Sequence, residues 1–523
     1  MRPRVLCACL TLLLAGCDGD DPVDDASTPD AGPVELDAGP RPDRESAVTV
    51  ALDAVVAEVD PRFLSVAIDS AQLVGGTFWD PSGESTGTTG DHPVPPYDFA
   101  SPKVRRLASA LAPALLRLGG TDADMVYYDL SDDPVEEPPE GYEAVMTRAQ
   151  WDGVHDFLDA TGYDLMFCLN AGPGPRDADG AWDPAQARAL MAHAAAEGQG
   201  VAVWELGNEP NGFRLIHGID PDPAGHAAAY ETLAALRDEL APDARLAGPA
   251  SAWWPTSGEL GRFYPDFVDA GGLDPVEIVT WHYYPQQSRR CPVRTTPAEP
   301  TTMLQPENLA EVEVWAEEVE AAVTDPDDEV WLGETGGAQC GGEPGVSDRF
   351  VGSFWWADQL GRMARRGQRV VVRQTLSGGT YGLLDDASLD PRPDYWTSVL
   401  WRRTMGTRVL AASTEDPALM AYAHCAAGSR EGAVAVVLLN VTLDQGVVVD
   451  LPGLGATREV YLADGPLYEP GYVLNGEPLE AAEDGTLPAI APVLEEDDAP
   501  LRLPPTSLAF VVFPDASAVA CAP

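Results

Sequence analysis

The feature that most constrains this chain is an alternation. Between residues 63 and 406, short runs rich in β-branched and aromatic residues take turns with longer stretches of helical periodicity. The strand candidates are 63–69, 114–119, 164–170, 201–207, 245–249, 277–283, 329–334 and 369–376. Between them lie helical patterns such as 101–111, 183–197, 226–240, 307–323 and 347–365, with Pro or Asp near several starts. Eight strands, each followed by a helix, predict an α/β fold, a (β/α)8 TIM barrel over residues 61–406. A doubly wound sheet would need fewer units, and it would bring a phosphate-binding glycine loop that is missing here. After about Thr407 short strands separated by Gly, Pro and Asp take over, which predicts a companion β-sandwich over 407–523. The strand-like segment 47–60 precedes the barrel and is expected to add a strand to that sandwich. At 523 residues the chain is long enough for both units.

The first residues carry Arg2 and Arg4, then an apolar run over 5–15, then Cys17. Eleven apolar residues are too few to cross a bilayer about 30 Å thick. They fit a lipoprotein signal peptide over 1–17, with Cys17 as the acylated residue, and imply a product exported and anchored to the bacterial cell envelope. Residues 18–46 set ten acidic side chains against Arg41 and Arg44 without apolar periodicity, the composition of a disordered acidic tether. Its net −8 and the +2 of the first 17 residues leave −46 of the total −52 on the remainder. So acidic a body argues against nucleic acid as a partner and against unaided capture of polyanions. Export permits disulfides. Cys168 lies in an apolar run and reads as a buried free thiol; the other four cysteines allow two bridges, with Cys425 to Cys521 and Cys291 to Cys340 favoured.

In such a barrel, chemistry sits at the C-terminal ends of the strands. Two strand ends carry glutamates: Val203-Trp204-Glu205-Leu206-Gly207-Asn208-Glu209-Pro210-Asn211 at the fourth and Val330-Trp331-Leu332-Gly333-Glu334-Thr335 at the seventh. These strands face each other across the mouth, so Glu209 and Glu334 can flank one sugar. Retaining glycosidic cleavage needs such a pair, an acid and a nucleophile about 5–5.5 Å apart. Apolar neighbours should desolvate Glu209 and favour its protonated form, whereas Glu334 must stay ionised. Asn208 would hydrogen-bond the sugar 2-hydroxyl. Glu205, deeper on the same strand, reads as an ion-pair partner inside the barrel. A single Asn-Glu-Pro also describes a strand end with a buried carboxylate; the pairing of two strands is what points to catalysis.

These motifs resemble glycoside hydrolase family 79, and within it the heparanases. Trp204 to Asn211 is similar to the family's acid/base motif and Val330 to Thr335 to its nucleophile motif. Further matches run through Leu116-Arg117-Leu118-Gly119-Gly120-Thr121, Val279-Thr280-Trp281-His282, Asp394-Tyr395-Trp396 and the final Cys521. The resemblance implies a barrel with a sandwich built from both chain ends and a Cys425–Cys521 bridge. It also implies cleavage of β-glucuronide linkages in a glucuronic-acid-containing polysaccharide or glycan, in the endo manner of heparanases, by a monomer without metal or organic cofactor. Gly341 and Gly342 match a glycine pair that grips the glucuronate carboxylate, and Tyr381 a tyrosine that joins them. Asp69, Thr121, Asn211 and Gln374 fall where the family lines its sugar site. His282 and Tyr284 fall where it places an aromatic rim and hydrogen bonds to the nucleophile.

Three departures qualify the expectation. The loop between nucleophile and glycine pair has one extra residue, which a Cys291–Cys340 tie could hold. Segment 252–258, containing Trp253 and Trp254, has no Arg or Lys where mammalian heparanases are basic, and neither has 140–147. The alternatives are therefore an exo-β-glucuronidase on unsulfated or other glucuronic-acid-capped glycans and a non-catalytic, surface-tethered glycan-binding barrel. The mark of the last would be loss of either glutamate, and both are present.

Overall fold

The computed structural model describes residues 41–82, 90–259, 261–428, 430–496 and 500–522. The signal segment, Cys17 and the tether as far as Pro40 lie outside the described residues.

Eight parallel strands close into a barrel: Leu64–Asp69, Ala114–Gly119, Tyr163–Leu169, Val203–Leu206, Arg245–Trp254, Ile278–Tyr283, Glu329–Thr335 and Val371–Arg373. They neighbour one another in chain order, and the eighth pairs with the first, with Val371 opposite Leu64. Each is followed by a helix on the outside, from Pro102–Ser109 after the first to Pro393–Thr404 after the eighth. Period-two alternation along the strands builds the interior in layers. Ala67, Leu115, Met166, Val203, Ala247, Ile278, Trp331 and Val372 form a dry plug. Two residues further up the strands, the plug gives way to Arg117, Cys168, Glu205 and Thr280, all buried. The mouth lies above that polar layer.

Two strands differ most from expectation. The fifth runs to Trp254, because an irregularity between Pro249 and Ser251 lets it continue and swing outward. The eighth is only three residues long, although Leu376 N–H still donates to Ala67 O at 2.9 Å.

The C-terminal region is two sheets with their own core. The larger runs Thr49–Glu58, Met405–Ser413, Leu419–Ala426, Val434–Asn440, Ser507–Phe513 and Thr457–Ala463. The smaller pairs Arg44–Ala47 with Val447–Asp450, and that with Leu501–Leu503. All of strand Arg44–Ala47 but Ala47 falls in the segment expected to be tether, 18–46. Ion pairs of Arg44 with Asp416 at 2.9 Å and of Asp43 with Arg502 at 2.6 Å hold this segment on the sandwich, so the tether must end sooner.

The large sheet serves two cores by alternation. Val434, Val436 and Leu438 pack between the sheets, whereas Ala435, Val437 and Leu439 pack toward the barrel. Cys425–Cys521 and Cys291–Cys340 are both bridged, and Cys168 is a buried free thiol.

Candidate active site

Glu209 stands just past the fourth strand, at the start of the turn Pro210–Gly212. Its backbone is left-handed, φ 52° and ψ 54°, a conformation costly for a residue with a Cβ. Its N–H donates to Ala250 O at 3.0 Å, and Asn208 N–H donates to Asp124 Oδ2 at 2.8 Å, so both neighbouring strand and loop hold the turn. Glu334 is aimed by a different device. The register shifts between Trp281 opposite Leu332 and His282 opposite Glu334, so Gly333 is an extra residue that turns the glutamate inward.

One carboxylate oxygen of each glutamate and a ring nitrogen of His282 all lie within 4.8 Å of one another. Such a gap suits direct attack on an anomeric carbon, and is too short for the interposed water of inverting enzymes. The two carboxyls nevertheless occupy unlike surroundings. Arg117 reaches Glu334 Oε2 at 2.7 Å, and Tyr284 OH donates to Glu334 Oε1 at 2.7 Å. Both of its oxygens are thus engaged by strong donors, one a guanidinium and one a hydroxyl. Glu209 has His282 Nδ1 at 3.1 Å from Oε1, and burial pushes its pKa up to about 7 against a smaller opposing pull from Arg117. Burial also depresses His282 to about 4, so its imidazole is neutral and adds no positive charge beside Glu209.

Arg117 is the hub beneath the site. Its guanidinium also reaches Glu205 Oε2 at 2.7 and 3.0 Å and Asn208 Oδ1 at 2.9 Å, and Glu205 Oε1 accepts from Thr280 at 2.8 Å. Glu205 is thus the internal ion-pair partner its position implied. Asn208 Oδ1 also accepts from Gly120 N–H at 3.1 Å. With that oxygen engaged from below, the amide orientation is set and the NH2 is turned the other way.

A cleft of about 410 Å3 opens over the pair. Asp69, Thr121, Glu209, Tyr284, Glu334, Gln374 and Tyr381 line it, together with Trp79 and Trp254. Asn208 and His282 lie beneath, touching the lining carboxylates or their supports. Asn211 sits elsewhere than expected. Its amide is consumed by Ala252, donating at 2.8 Å and accepting at 3.0 Å, so it braces the turn against the fifth strand. The two tryptophans of segment 252–258 divide: Trp253 is buried against Tyr264, Trp281 and Trp315, and Trp254 faces the cleft.

Gly341 and Gly342 have positive φ, 79° and 82°, and tolerate no Cβ. One at Gly341 would collide with Trp79, and one at Gly342 would come within 2.7 Å of Tyr381 N. The pair therefore lies flush against the tyrosine loop, where Gly341 O accepts from Thr380 N at 2.7 Å. Among the described residues neither glycine N–H has an acceptor. Arg373, over the faces of Trp355 and Trp356, anchors this loop by donating to Tyr381 O and Asp394, each at 2.8 Å.

Arg117 and Asp124 were not foreseen as site residues. The available signal for Arg117 was a charged side chain among leucines at an inward strand position, which needs a partner. Asp124 gave no such signal; burial holds its pKa at about 7.

A closed barrel with two carboxylates facing across its mouth is the site of a glycoside hydrolase. Residues 97–361 match the model of the glycosyl hydrolase family 79 N-terminal domain, and the chain belongs to that family. It is 31% identical to heparanase of Gallus gallus over 92% of this chain and 97% of the relative. It is 26% identical to baicalin-beta-D-glucuronidase of Scutellaria baicalensis over 88% and 90%. The fold resembles that of a 4-O-alpha-L-rhamnosyl-beta-D-glucuronidase from Fusarium oxysporum, with TM-score 0.62 and 15% identity, over 88% of this chain and 99% of that one.

Proposed function

We propose that the protein hydrolyses β-linked glucuronic acid with retention of configuration. The observation that carries this is a pair of carboxyls within 4.8 Å in unlike surroundings: Glu334 takes hydrogen bonds from Arg117 and Tyr284, and burial raises the pKa of Glu209 to about 7. Glu334 attacks the anomeric carbon while Glu209 gives its proton to the departing oxygen, leaving a glycosyl ester on Glu334. Water, deprotonated by Glu209, then releases the sugar. Tyr284 and Arg117 orient the nucleophile, and Asn208 offers its NH2 to the 2-hydroxyl as positive charge develops on the ring. The glucuronate carboxylate sits against the unpaired N–H groups of Gly341 and Gly342 and the Tyr381 hydroxyl. Neutral donors hold it there without a mobile counter-charge. The names of both relatives, a heparanase and a glucuronidase, agree with a substrate containing glucuronic acid.

The test is hydrolysis of an aryl β-glucuronide beside the matching β-glucoside. The glucuronide should be strongly preferred, and Glu334→Gln should lose at least about a thousandfold in kcat. Glu209→Ala should keep most activity on an aryl leaving group that departs without a proton and lose it on an alkyl one. Equal activity of wild type and Glu334→Gln would refute the proposal. With heparosan as substrate, short oligomers appearing early mark the internal cleavage expected of a heparanase-like enzyme, and steady monosaccharide release marks end-wise action.

A further inference from the structure

The ring of strands divides the cleft. Asp69 and Gln374, from the first and eighth strands, lie with Tyr381 diametrically opposite the fourth and fifth strands, which bring Glu209 and Trp254. On the glucuronidase reading, on which this inference rests, the acid marks the side of the leaving group. The leaving group must then lie over strands four to six.

That side is largely apolar and carries no basic side chain among the described residues, Ser257, Gln287 and Thr295 being its neutral polar members. Leu215 and Ile216 follow Glu209 on the short helix Phe213–Ile216. Pro292 and Val293 project from the loop after strand six, which the Cys291–Cys340 bridge pins and whose Thr295 hydroxyl donates to Pro255 O at 3.3 Å, beside Trp254. Leu215, Ile216 and Val293 are 64, 41 and 71% exposed, three of the twelve large hydrophobic side chains exposed among the described residues. Their gathering at one cleft is unlike scattered surface leucines. The charge points the same way. Among the described residues, the ionisable side chains on the lining are Asp69, Glu209, Glu334, Tyr284 and Tyr381; no Lys, Arg or His is among them. Arg294 is exposed on the same loop but not part of the lining. An anionic leaving group would meet largely apolar, uncharged walls and no counter-ion on the lining.

We propose that the cleft selects glucuronides whose leaving group is an uncharged, flat, hydrophobic alcohol, an aryl or fused-ring one, in preference to a sulfated sugar. The test uses 2-naphthyl, phenyl and 6-sulfo-2-naphthyl β-D-glucuronides, whose leaving groups are of similar acidity. kcat/KM should rise about tenfold from phenyl to naphthyl, the usual scale for added apolar surface in a pocket, and fall on sulfonation. Leu215→Ser and Val293→Ser, at solvent-facing positions that tolerate change, should shrink the naphthyl-to-phenyl ratio. Val293→Lys should recover the sulfonated substrate. A ratio near one, a ratio unmoved in both serine variants, or faster cleavage of heparan sulfate fragments would overturn the inference while leaving glucuronidase activity standing. Failure to cleave any glucuronide would sink both.

Discussion

A carboxyl group that must release a proton near neutrality has to be kept from water, and the side chain of Glu209 is only 17% exposed. With its pKa raised to about 7, kcat/KM should fall as pH rises through about 7, which a pH–rate profile of the free enzyme will show. The same shift bears on stability. The folded value lies above the ordinary 4.5, so the protein favours the protonated form; that contribution is complete below about pH 4.5 and lost as pH rises through 7. Glu209→Gln should therefore match wild type in thermal melts at pH 4 and exceed it at pH 8, by on the order of 2 kcal/mol. Arg117 acts through a different balance. It is fully buried with Glu205, and Arg117→Met leaves that carboxylate without its cation at a cost of about 3–5 kcal/mol. Denaturant melts should show the loss, and adding Glu205→Met should restore part of it.

The loops after strands six and seven behave as one element. Besides the Cys291–Cys340 bridge, Glu343 accepts from Ser288 Oγ at 2.8 Å and from Arg289 N at 2.7 Å, and Gln287 bridges to Gln339. Cys291→Ser with Cys340→Ser frees the segment leading to the glycine pair. KM for a glucuronide should rise several-fold, more than kcat falls, in steady-state kinetics. Most of the barrel was legible because its strands are short, largely buried apolar runs; the second runs over Ala114–Gly119 as expected. What escaped had physical reasons. Helix Pro393–Thr404 is buried on nearly every side, so it shows no amphipathic stripe. By contrast, helix Arg148–Thr161 carries legible marks despite Gly153: an apolar stripe of Trp151, Val154, Phe157 and Leu158, and the capping box of Thr147 with Gln150. At the site, positions tied to strand ends could be placed from the chain alone. Asn211 could not, because a turn decided which way its amide faces.

At the scale of the molecule, barrel and sandwich share boundaries at both chain ends. Thr49–Glu58 pairs with Met405–Ser413, and Val59 N–H and Asp60 N–H donate to Thr407 O and Arg369 O. A chain beginning after residue 59 would lose that strand and uncover Val48 and Val50's partners in the sandwich core, such as Leu410. It should aggregate on expression, whereas a chain beginning at residue 41 should yield soluble protein. Calorimetry of the latter should give one transition, not two. The cause is Val434–Asn440, whose odd and even side chains answer to different interiors. A strand read on both faces ties two histories together: a substitution accepted by one interior must be tolerable one residue away to the other. Such a companion cannot be traded between lineages as a cassette, and barrel and sandwich must drift as a pair.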